Sequence, residues 1–381
     1  AFAQATVFAL GIQPYINSSI IIQLLTVAIP ALERMQREGG EEGKKKIQSI
    51  TRYSTVAIAF LQALGYYFIM KRQGILTQDN VWVALVIMIS WVAGSSFLMW
   101  LGEQCNEFGV GNGISMILMA GIISRVPSMV QQLYYFVVNW NTARTGGTLP
   151  EQATALNPAW VALIVLGIVA LIVLIVFVND AERRIPVQYA KRQVGRKMYG
   201  GQSSSLPMKV NMSGVLPIIF AQSIATIPAT IGAFLPAPAE GTFGYAVLNA
   251  IDSKSVLYLI IYFILIIGFS YFYASIQFNP VEISNNLKRN GGFIPGFRPG
   301  KPTSDFISRV LNKITLFGAL YLGIVAILPL LADKIAAVTS KSMTTLGIGG
   351  TSVIIVVGVA LETVQALENQ MLMRQYKGFL D

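Results

Sequence analysis

The sequence predicts an all-α polytopic membrane protein, because the chain is too apolar and too poor in charge for a water-soluble domain. Of its 381 residues, 54% are hydrophobic and 12% are charged, whereas soluble domains carry about 25% charged residues. The apolar residues form continuous runs and do not alternate with polar ones, which favours membrane helices over a membrane β-barrel. Most of the 28 lysines and arginines lie in bands between these runs, as expected of cytoplasmic loops.

Nine stretches are long and apolar enough to cross a membrane, which takes about 20 helical residues. The predicted spans are 11–30, 54–70, 81–101, 113–138, 159–179, 213–235, 256–278, 310–331 and 349–366. The segment Gly109 to Gly113, "GVGNG", resembles part of a dinucleotide-binding motif, but it lacks the strand that would precede one. We therefore interpret it as a tight turn between two membrane helices.

The loops between the spans predict the orientation of the chain. Basic residues are concentrated in loops 31–53, 180–212 and 279–313 and in the C-terminal tail. The positive-inside rule places these segments, including the C-terminus, in the cytoplasm. Counting the spans back places Ala1 outside, and an external start without a signal peptide predicts a further helix ahead of it.

Two spans begin with the same pattern. The first span contains Gly11-Ile-Gln-Pro14 and the sixth contains Gly214-Val-Leu-Pro217, and in each an isoleucine, Ile16 or Ile219, follows two residues after the proline. The two spans cross in opposite directions, which is typical of inverted repeats with a central pathway. The alternative is chance, since glycine and proline are frequent in membrane helices.

Pro14 is predicted to bend the first span, because proline removes one helical hydrogen bond and clashes with the preceding turn. Three small polar residues follow it: Asn17, Ser18 and Ser19. Side chains of this kind can satisfy the backbone groups that a membrane proline leaves free. We expect them to do so here.

Composition excludes several kinds of chemistry. The chain has no histidine and one cysteine, Cys105, which excludes an internal disulfide, a zinc site built on histidine and cysteine, and a histidine-based triad. There is no G-x-x-x-x-G-K-[ST] motif to bind nucleotide phosphates. We therefore expect neither a metal nor another cofactor, and no enzymatic activity.

The predicted membrane interior is almost free of titratable groups. Arg125, beside Pro127 late in the fourth span, is the clearest exception. A proton-coupled pump normally buries carboxylates or histidines on its path. An uncharged interior instead suits a pathway that does not hold its cargo and that aliphatic side chains can seal. The alternatives are an inverted-repeat secondary transporter and a membrane insertase or scaffold without a pore.

Two cytoplasmic loops carry motifs that suggest docking. They are "RRIPVQYAKRQVGRKMYGG" and "GGFIPGFRPGKPT", which combine clustered basic residues with tyrosines or prolines. One interpretation is binding to an acidic partner, either ribosomal RNA or an acidic protein surface. The other is contact with anionic lipids.

Long motifs spread over nearly the whole chain resemble those of the SecY family, which forms the channel of the bacterial Sec protein translocase. They are "FALGIQPYINSSIIIQLL", "TRYSTV", "FLMWLGEQCNEFGVGNGIS", "YAKRQVGRKMYGGQSSSLPMKVNMSGVLPIIFA", "FNPVEISNNLKRNGGFIPGFRPGKPT" and "GGTSVIIVV". The resemblance implies ten helices in two inverted halves around an hourglass channel. In this chain residues 1–145 would match family helices 2 to 5, and residues 146–381 would match helices 6 to 10, with cytoplasmic loops 180–212 and 279–309. The first family helix and the plug that follows it would be absent from the sequence.

The resemblance also implies three sets of functional residues. The pore ring, which would seal the channel, consists of Ile12, Ile16, Ile114, Leu118, Ile219 and Ile355. The lateral gate, through which membrane segments would leave, includes Gln23, Gln222, Ser223 and Ile227. The docking residues, which would contact the motor or the ribosome, are Arg192, Arg196, Lys197, Arg298 and Lys301.

The function implied by the resemblance is that of a passive, gated channel for unfolded secretory proteins in the bacterial cytoplasmic membrane. The channel would also release membrane segments sideways into the lipid. The expected partners are the SecE and SecG subunits, the SecA ATPase, the ribosome through its RNA, signal peptides and nascent chains, and anionic lipids. SecA or translation would supply the energy.

Overall fold

The computed structural model describes residues 6–37, 39–72, 74, 76, 80–145, 157–189, 192–194, 197–199, 203–234, 255–339 and 350–377. The helices are α1 (Gln13–Ala28), α2 (Pro30–Arg37), α3 (Gly40–Arg72), α4 (Val81–Phe108), α5 (Gly113–Ile123), α6 (Val126–Arg144), α7 (Pro158–Asp180), α8 (Leu216–Phe234), α9 (Val256–Gln277), α10 (Pro280–Arg289), α11 (Lys301–Thr339) and α12 (Gly350–Lys377). The strands are β1 (Glu182–Tyr189), β2 (Arg192–Val194), β3 (Lys197–Tyr199), β4 (Ser203–Lys209) and β5 (Gly292–Phe293). The predicted helical class is confirmed.

The predicted count of nine spans is not confirmed. Among the described residues, seven helices are long and apolar enough to cross a membrane, and the bent pair of α1 and α2 would make eight. The sixth predicted span corresponds to α8, Leu216–Phe234, whose apolar stretch Leu216–Pro228 is too short to be among the seven. The fourth predicted span is among the seven, as Gly113–Arg144, although a turn at Arg125 separates α5 from α6.

The loop predicted over 31–53 is helical. The axis turns by 105° between α1 and α2, where Pro30 begins the second helix. Helix α2 then packs on the start of α3, and Gly43 lies against the backbone carbonyl of Met35, where a Cβ atom would clash. The absence of a side chain at Gly43 lets these two backbones meet.

The chain folds as two compact units, which we describe separately. The first contains Ala1–Ile123, Thr226–Asp252 and Val359–Asp381, and the second contains Ser124–Ala225 and Ser253–Gly358. The core of the first unit joins α3, α4 and the turn that precedes α1. Its buried members are Leu10, Ala59, Ala63, Tyr67, Met70, Ala84, Met88 and Trp91. The division of the sequence at residue 145 stays a prediction.

In the second unit, the segments predicted as two cytoplasmic loops form one folded piece. Strand β1 pairs antiparallel with β4 along most of its length and with β5 at its end. One face of this sheet packs on the start of α11. The buried residues of this core are Ile185, Val187, Met208, Ile294, Ile307 and Leu311. A shared apolar core therefore joins the two segments, and their role in docking stays a prediction.

Candidate functional site

The first G-x-x-P motif forms a turn that leads into α1. Gly11 has a φ angle of +57°, in the left-handed region that side chains disfavour. Helix α1 begins at Gln13, so Pro14 lies in its first turn. The backbone N–H of Ile16 donates to the carbonyl of Ile12 over 3.2 Å. The prediction that Pro14 bends the first span is therefore wrong. Pro14 lies at the start of a helix, where a proline displaces no helical hydrogen bond.

The polar residues after Pro14 also differ from the prediction. The Ser18 hydroxyl donates to the backbone carbonyl of Thr51 in α3 over 2.9 Å, in a buried contact. Asn17 has a buried side-chain oxygen with no hydrogen-bond partner within the described residues. Since Pro14 leaves no carbonyl unsatisfied at the start of a helix, Ser18 is available to join α1 to α3.

The second G-x-x-P motif has the same backbone conformation as the first. Gly214 has a φ angle of +61°, and Pro217 is the second residue of α8, as Pro14 is of α1. The N–H of Ile219 donates to the carbonyl of Val215 over 3.3 Å, which matches the bond between Ile16 and Ile12. The repeat in sequence is therefore also a repeat in backbone structure.

The six predicted ring residues lie in helices, apart from Ile12 at the end of the first turn, and none is fully exposed. Ile12, Ile16 and Ile355 are buried, and Ile114, Leu118 and Ile219 are half-buried. Ile12, Ile16, Ile114 and Leu118 belong to the first unit, and Ile219 and Ile355 belong to the second. Each unit thus contributes ring candidates from two helical segments.

In the first unit, α4 positions the start of α5, which carries Ile114 and Leu118. A Cβ atom at Gly102 would lie 3.0 Å from the Ile114 side chain, so this glycine allows close packing. The side-chain oxygen of Asn106 accepts a hydrogen bond from the N–H of Gly113 over 2.7 Å. Packing and a helix cap together fix where Ile114 leaves the turn.

In the second unit, the turn that leads into α8 meets α12 at a glycine. A Cβ atom at Gly358 would lie 3.4 Å from both methyl groups of Val215. Ile219 follows Val215 by one helical turn, and Ile355 precedes Gly358 by about one turn. If the two helices are antiparallel, as the charge pattern predicts, both isoleucines lie about 5 Å from this contact on the same side.

The predicted gate residues are distributed over α1 and α8. Gln23 is half-buried, and its backbone carbonyl accepts a hydrogen bond from the Thr26 hydroxyl over 2.7 Å. Gln222 and Ile227 are exposed, and Ser223 is buried. Helix α8 thus carries polar side chains in both buried and exposed positions, which fits a helix with more than one environment.

The predicted docking residue Arg298 is displayed by a braced loop. The hydroxyl of Thr303 donates to the backbone carbonyl of Arg298 over 2.8 Å, and that of Ser284 donates to the carbonyl of Gly300 over 2.8 Å. The Phe297 ring packs on Phe306 with centroids 4.2 Å apart. Phe297 is half-buried and Thr303 is buried, whereas Arg298 and Lys301 are exposed.

The remaining docking residues lie at the tip of the other loop. Arg192 is in β2 and Lys197 is in β3, and these strands pair with Val194 opposite Lys197. Arg196 lies outside the described residues. The two strands show that part of this basic segment is a hairpin, which the sequence did not lead us to predict.

An ion pair between the exposed Arg52 in α3 and the buried Glu103 in α4 was not predicted from the sequence. Glu103, which is 7% exposed, accepts a hydrogen bond from Nε of Arg52 over 2.9 Å, and its other oxygen lies 2.9 Å from Nη2 of Arg52. Gln48 donates to the same carboxylate over 3.3 Å. The available signal was a glutamate just after the apolar run 81–101, because charges beside membrane spans are commonly functional. Within the described residues, no cluster of acidic or cysteine side chains could hold a metal ion.

Comparison with known proteins gives consistent matches. The model of the SecY family matches residues 6–364. The chain is 41% identical over 393 aligned positions to the protein translocase subunit SecY of Streptomyces scabiei, and the alignment covers 100% of this chain and 84% of that protein.

Two solved channel structures have a similar fold. One is a SecY structure, described as showing that the plug domain stabilises the closed state of the translocation channel and maintains a membrane seal. It has a TM-score of 0.65 and 19% sequence identity, and the match covers 96% of this chain and 83% of that chain. The other is Sec61 in the canine ribosome-channel complex from the endoplasmic reticulum. It has a TM-score of 0.61 and 16% sequence identity, and the match covers 96% of this chain and 82% of that chain. The fold expected from the sequence motifs is confirmed.

Proposed function

Because this chain belongs to the SecY family, we propose that it forms the pore of a protein translocase in the cytoplasmic membrane. Unfolded secretory proteins cross through this pore, and membrane segments leave it sideways into the lipid. The chain is a multi-pass membrane protein of a channel family.

The observation that carries the proposal is the pair of matching turns before α1 and α8. Each turn has a left-handed glycine, a proline in the first helical turn and an isoleucine two residues later. Such turns fix where Ile16 and Ile219 leave the backbone. A ring of such aliphatic side chains excludes water and ions, and it yields to a bulky chain without binding it. Ile12, Ile114, Leu118 and Ile355 complete the ring.

The gate and the docking surface serve the same function. Gln23, Gln222 and Ser223 make α1 and α8 less apolar, so that a hydrophobic signal peptide competes well for the gate beside Ile227. SecE and SecG hold the helices together. Arg298 and Lys301 on the braced loop, with Arg192 and Lys197 on the hairpin strands and with Arg196 of the same basic segment, form a basic surface for SecA or for ribosomal RNA. Anionic lipids contact the outer basic residues.

Disulfide crosslinking to a translocating chain tests the ring. One cysteine is placed at Ile16 or Ile219 in a Cys105→Ala background, and a secretory chain with a single cysteine is stalled during transport. We expect a crosslink at both positions that requires the signal peptide and SecA or the ribosome. The matched control is Leu166→Cys, because Leu166 in α7 is 71% exposed and faces lipid in this proposal.

A crosslink at Leu166→Cys without one at Ile16→Cys or Ile219→Cys would mean that the transported chain takes another path. The ring would then be ordinary helix packing, although membership of the family would stand.

A further inference from the structure

The ion pair between Arg52 and Glu103 lies in the middle of a series of contacts that joins the two ring-bearing helices of the first unit. Both oxygens of Glu103 face Arg52, in the bidentate geometry that makes arginine–carboxylate pairs strong and directional. Gln48 adds a third hydrogen bond. The carboxylate is buried, while the arginine side chain is 48% exposed.

On the α3 side, the pair is adjacent to the contact with α1. Thr51, the residue before Arg52, accepts hydrogen bonds at its backbone carbonyl from Ser18 over 2.9 Å and from Thr55 over 2.7 Å. Ser18 lies two residues after Ile16 in α1. A shift of α3 relative to α4 therefore also moves Ser18 and, with it, Ile16.

On the α4 side, the pair is adjacent to the contact with α5. Gly102, the residue before Glu103, packs against Ile114. Asn106, one turn after Glu103, caps α5 through the N–H of Gly113. A shift of α4 at Glu103 therefore moves Gly102 and Asn106, and with them the start of α5.

We propose that Arg52 and Glu103 are positioning residues that hold Ile16 and Ile114 in register, so that the pore ring stays sealed at rest. This inference rests on the proposed function. The pair does not contact the transported chain. It acts by fixing the separation of α3 and α4, because a buried carboxylate that loses its partner must find water or another donor.

The experiment measures ion leak through resting channels in the intact complex, as chloride entry into spheroplasts that carry each variant. Glu103→Gln is expected to raise the leak by roughly tenfold at an unchanged amount of complex, which corresponds to about 1.4 kcal/mol in the preference for the sealed state. The double charge exchange Arg52→Glu with Glu103→Arg is expected to bring the leak back toward the original value. The matched control is Glu42→Gln, an exposed carboxylate in the first turn of α3, which is expected to change nothing.

Ile16→Asn serves as the reference for a damaged ring, and it separates this proposal from the proposed function. A leak in Ile16→Asn without one in Glu103→Gln would overturn the positioning role and leave the ring in place. If neither variant leaks, the ring assignment fails and the positioning role fails with it. If Glu103→Gln lowers the amount of complex, Arg52→Lys replaces it, because lysine keeps the charge but loses the bidentate geometry. If the Arg52→Lys channel then shows no increase in chloride leak, the pair only stabilises the fold.

Discussion

At the scale of single residues, Gly11 and Gly214 depend on the absence of a side chain for a conformational reason. Their φ angles of +57° and +61° lie in the left-handed region, where an L-residue costs about 1–2 kcal/mol. A Cβ atom at Gly11 would meet no atom within 4 Å, so the space itself would admit alanine. The glycine is required by the backbone angle that directs the chain into α1.

Gly11→Ala is therefore expected to lower the free energy of unfolding by about 1–2 kcal/mol. Gly11→Asn is expected to cost less, because asparagine tolerates this region better than alanine. The measurement is thermal unfolding of the purified complex. The control is Gly167→Ala in α7, where a Cβ atom also meets nothing and alanine favours the helix by up to about 1 kcal/mol. Equal effects at the two positions would show that the left-handed turn is not needed.

Some site residues could be predicted from the sequence and others could not, for a physical reason. All six ring residues were predicted from the family resemblance, and the ring stays a prediction. The G-x-x-P repeat independently aligned Ile16 with Ile219, because a repeat is a property of the sequence itself. The pairing of Arg52 with Glu103 was missed, because it joins two helices at residues 51 positions apart. Only the packing of α3 on α4 brings these residues together.

At the scale of elements, the apolar runs located the helices of the membrane, but the ends of several helices and the sheet were missed. Hydropathy marks the part of a helix that crosses lipid, whereas α3 and α11 continue into charged sequence. Strand β1 did carry a signal, because buried Ile185 and Val187 alternate with exposed Arg184 and Pro186. The signal is short and includes a proline, and its partner β5 lies more than one hundred residues further along the chain.

The braced loop before α11 gives a prediction at this scale. Thr303→Ala removes the hydroxyl that holds the Arg298 carbonyl, so the exposed arginine should lose its fixed position. SecA-dependent transport by the complete complex is expected to fall roughly fivefold, because such a hydrogen bond contributes about 1 kcal/mol. Arg298→Ala should reduce transport further, and Thr303→Ser should restore it.

The control for the loop variant is Thr142→Ala, whose hydroxyl bonds only to the carbonyl of Val138 in its own helix. Transport that withstands Arg298→Ala would refute the docking role. Transport that is impaired by Arg298→Ala but unaffected by Thr303→Ala would show that the loop need not be braced.

At the scale of the whole molecule, the charge pattern and the sheet both place the two basic loops on the same side of the membrane. The basic loops 180–212 and 279–309 were assigned to the same side from their charge alone. The structure joins them through β1 and β5 and through the core around Met208. Two segments that share a hydrophobic core cannot lie on opposite sides of a membrane, so this part of the predicted topology is fixed by packing as well as by charge.

Which side that is can be tested by cysteine labelling in a Cys105→Ala background. Ser204 in β4 and Ala159 at the start of α7 are both exposed, and the positive-inside rule places them on the cytoplasmic and external sides respectively. A membrane-impermeant maleimide added to intact spheroplasts is expected to modify Ala159→Cys and to spare Ser204→Cys. Both should react after the membrane is opened, which serves as the control for reactivity. Labelling of Ser204→Cys in intact spheroplasts would place the sheet outside the cell, and SecA and the ribosome could then not reach Arg298.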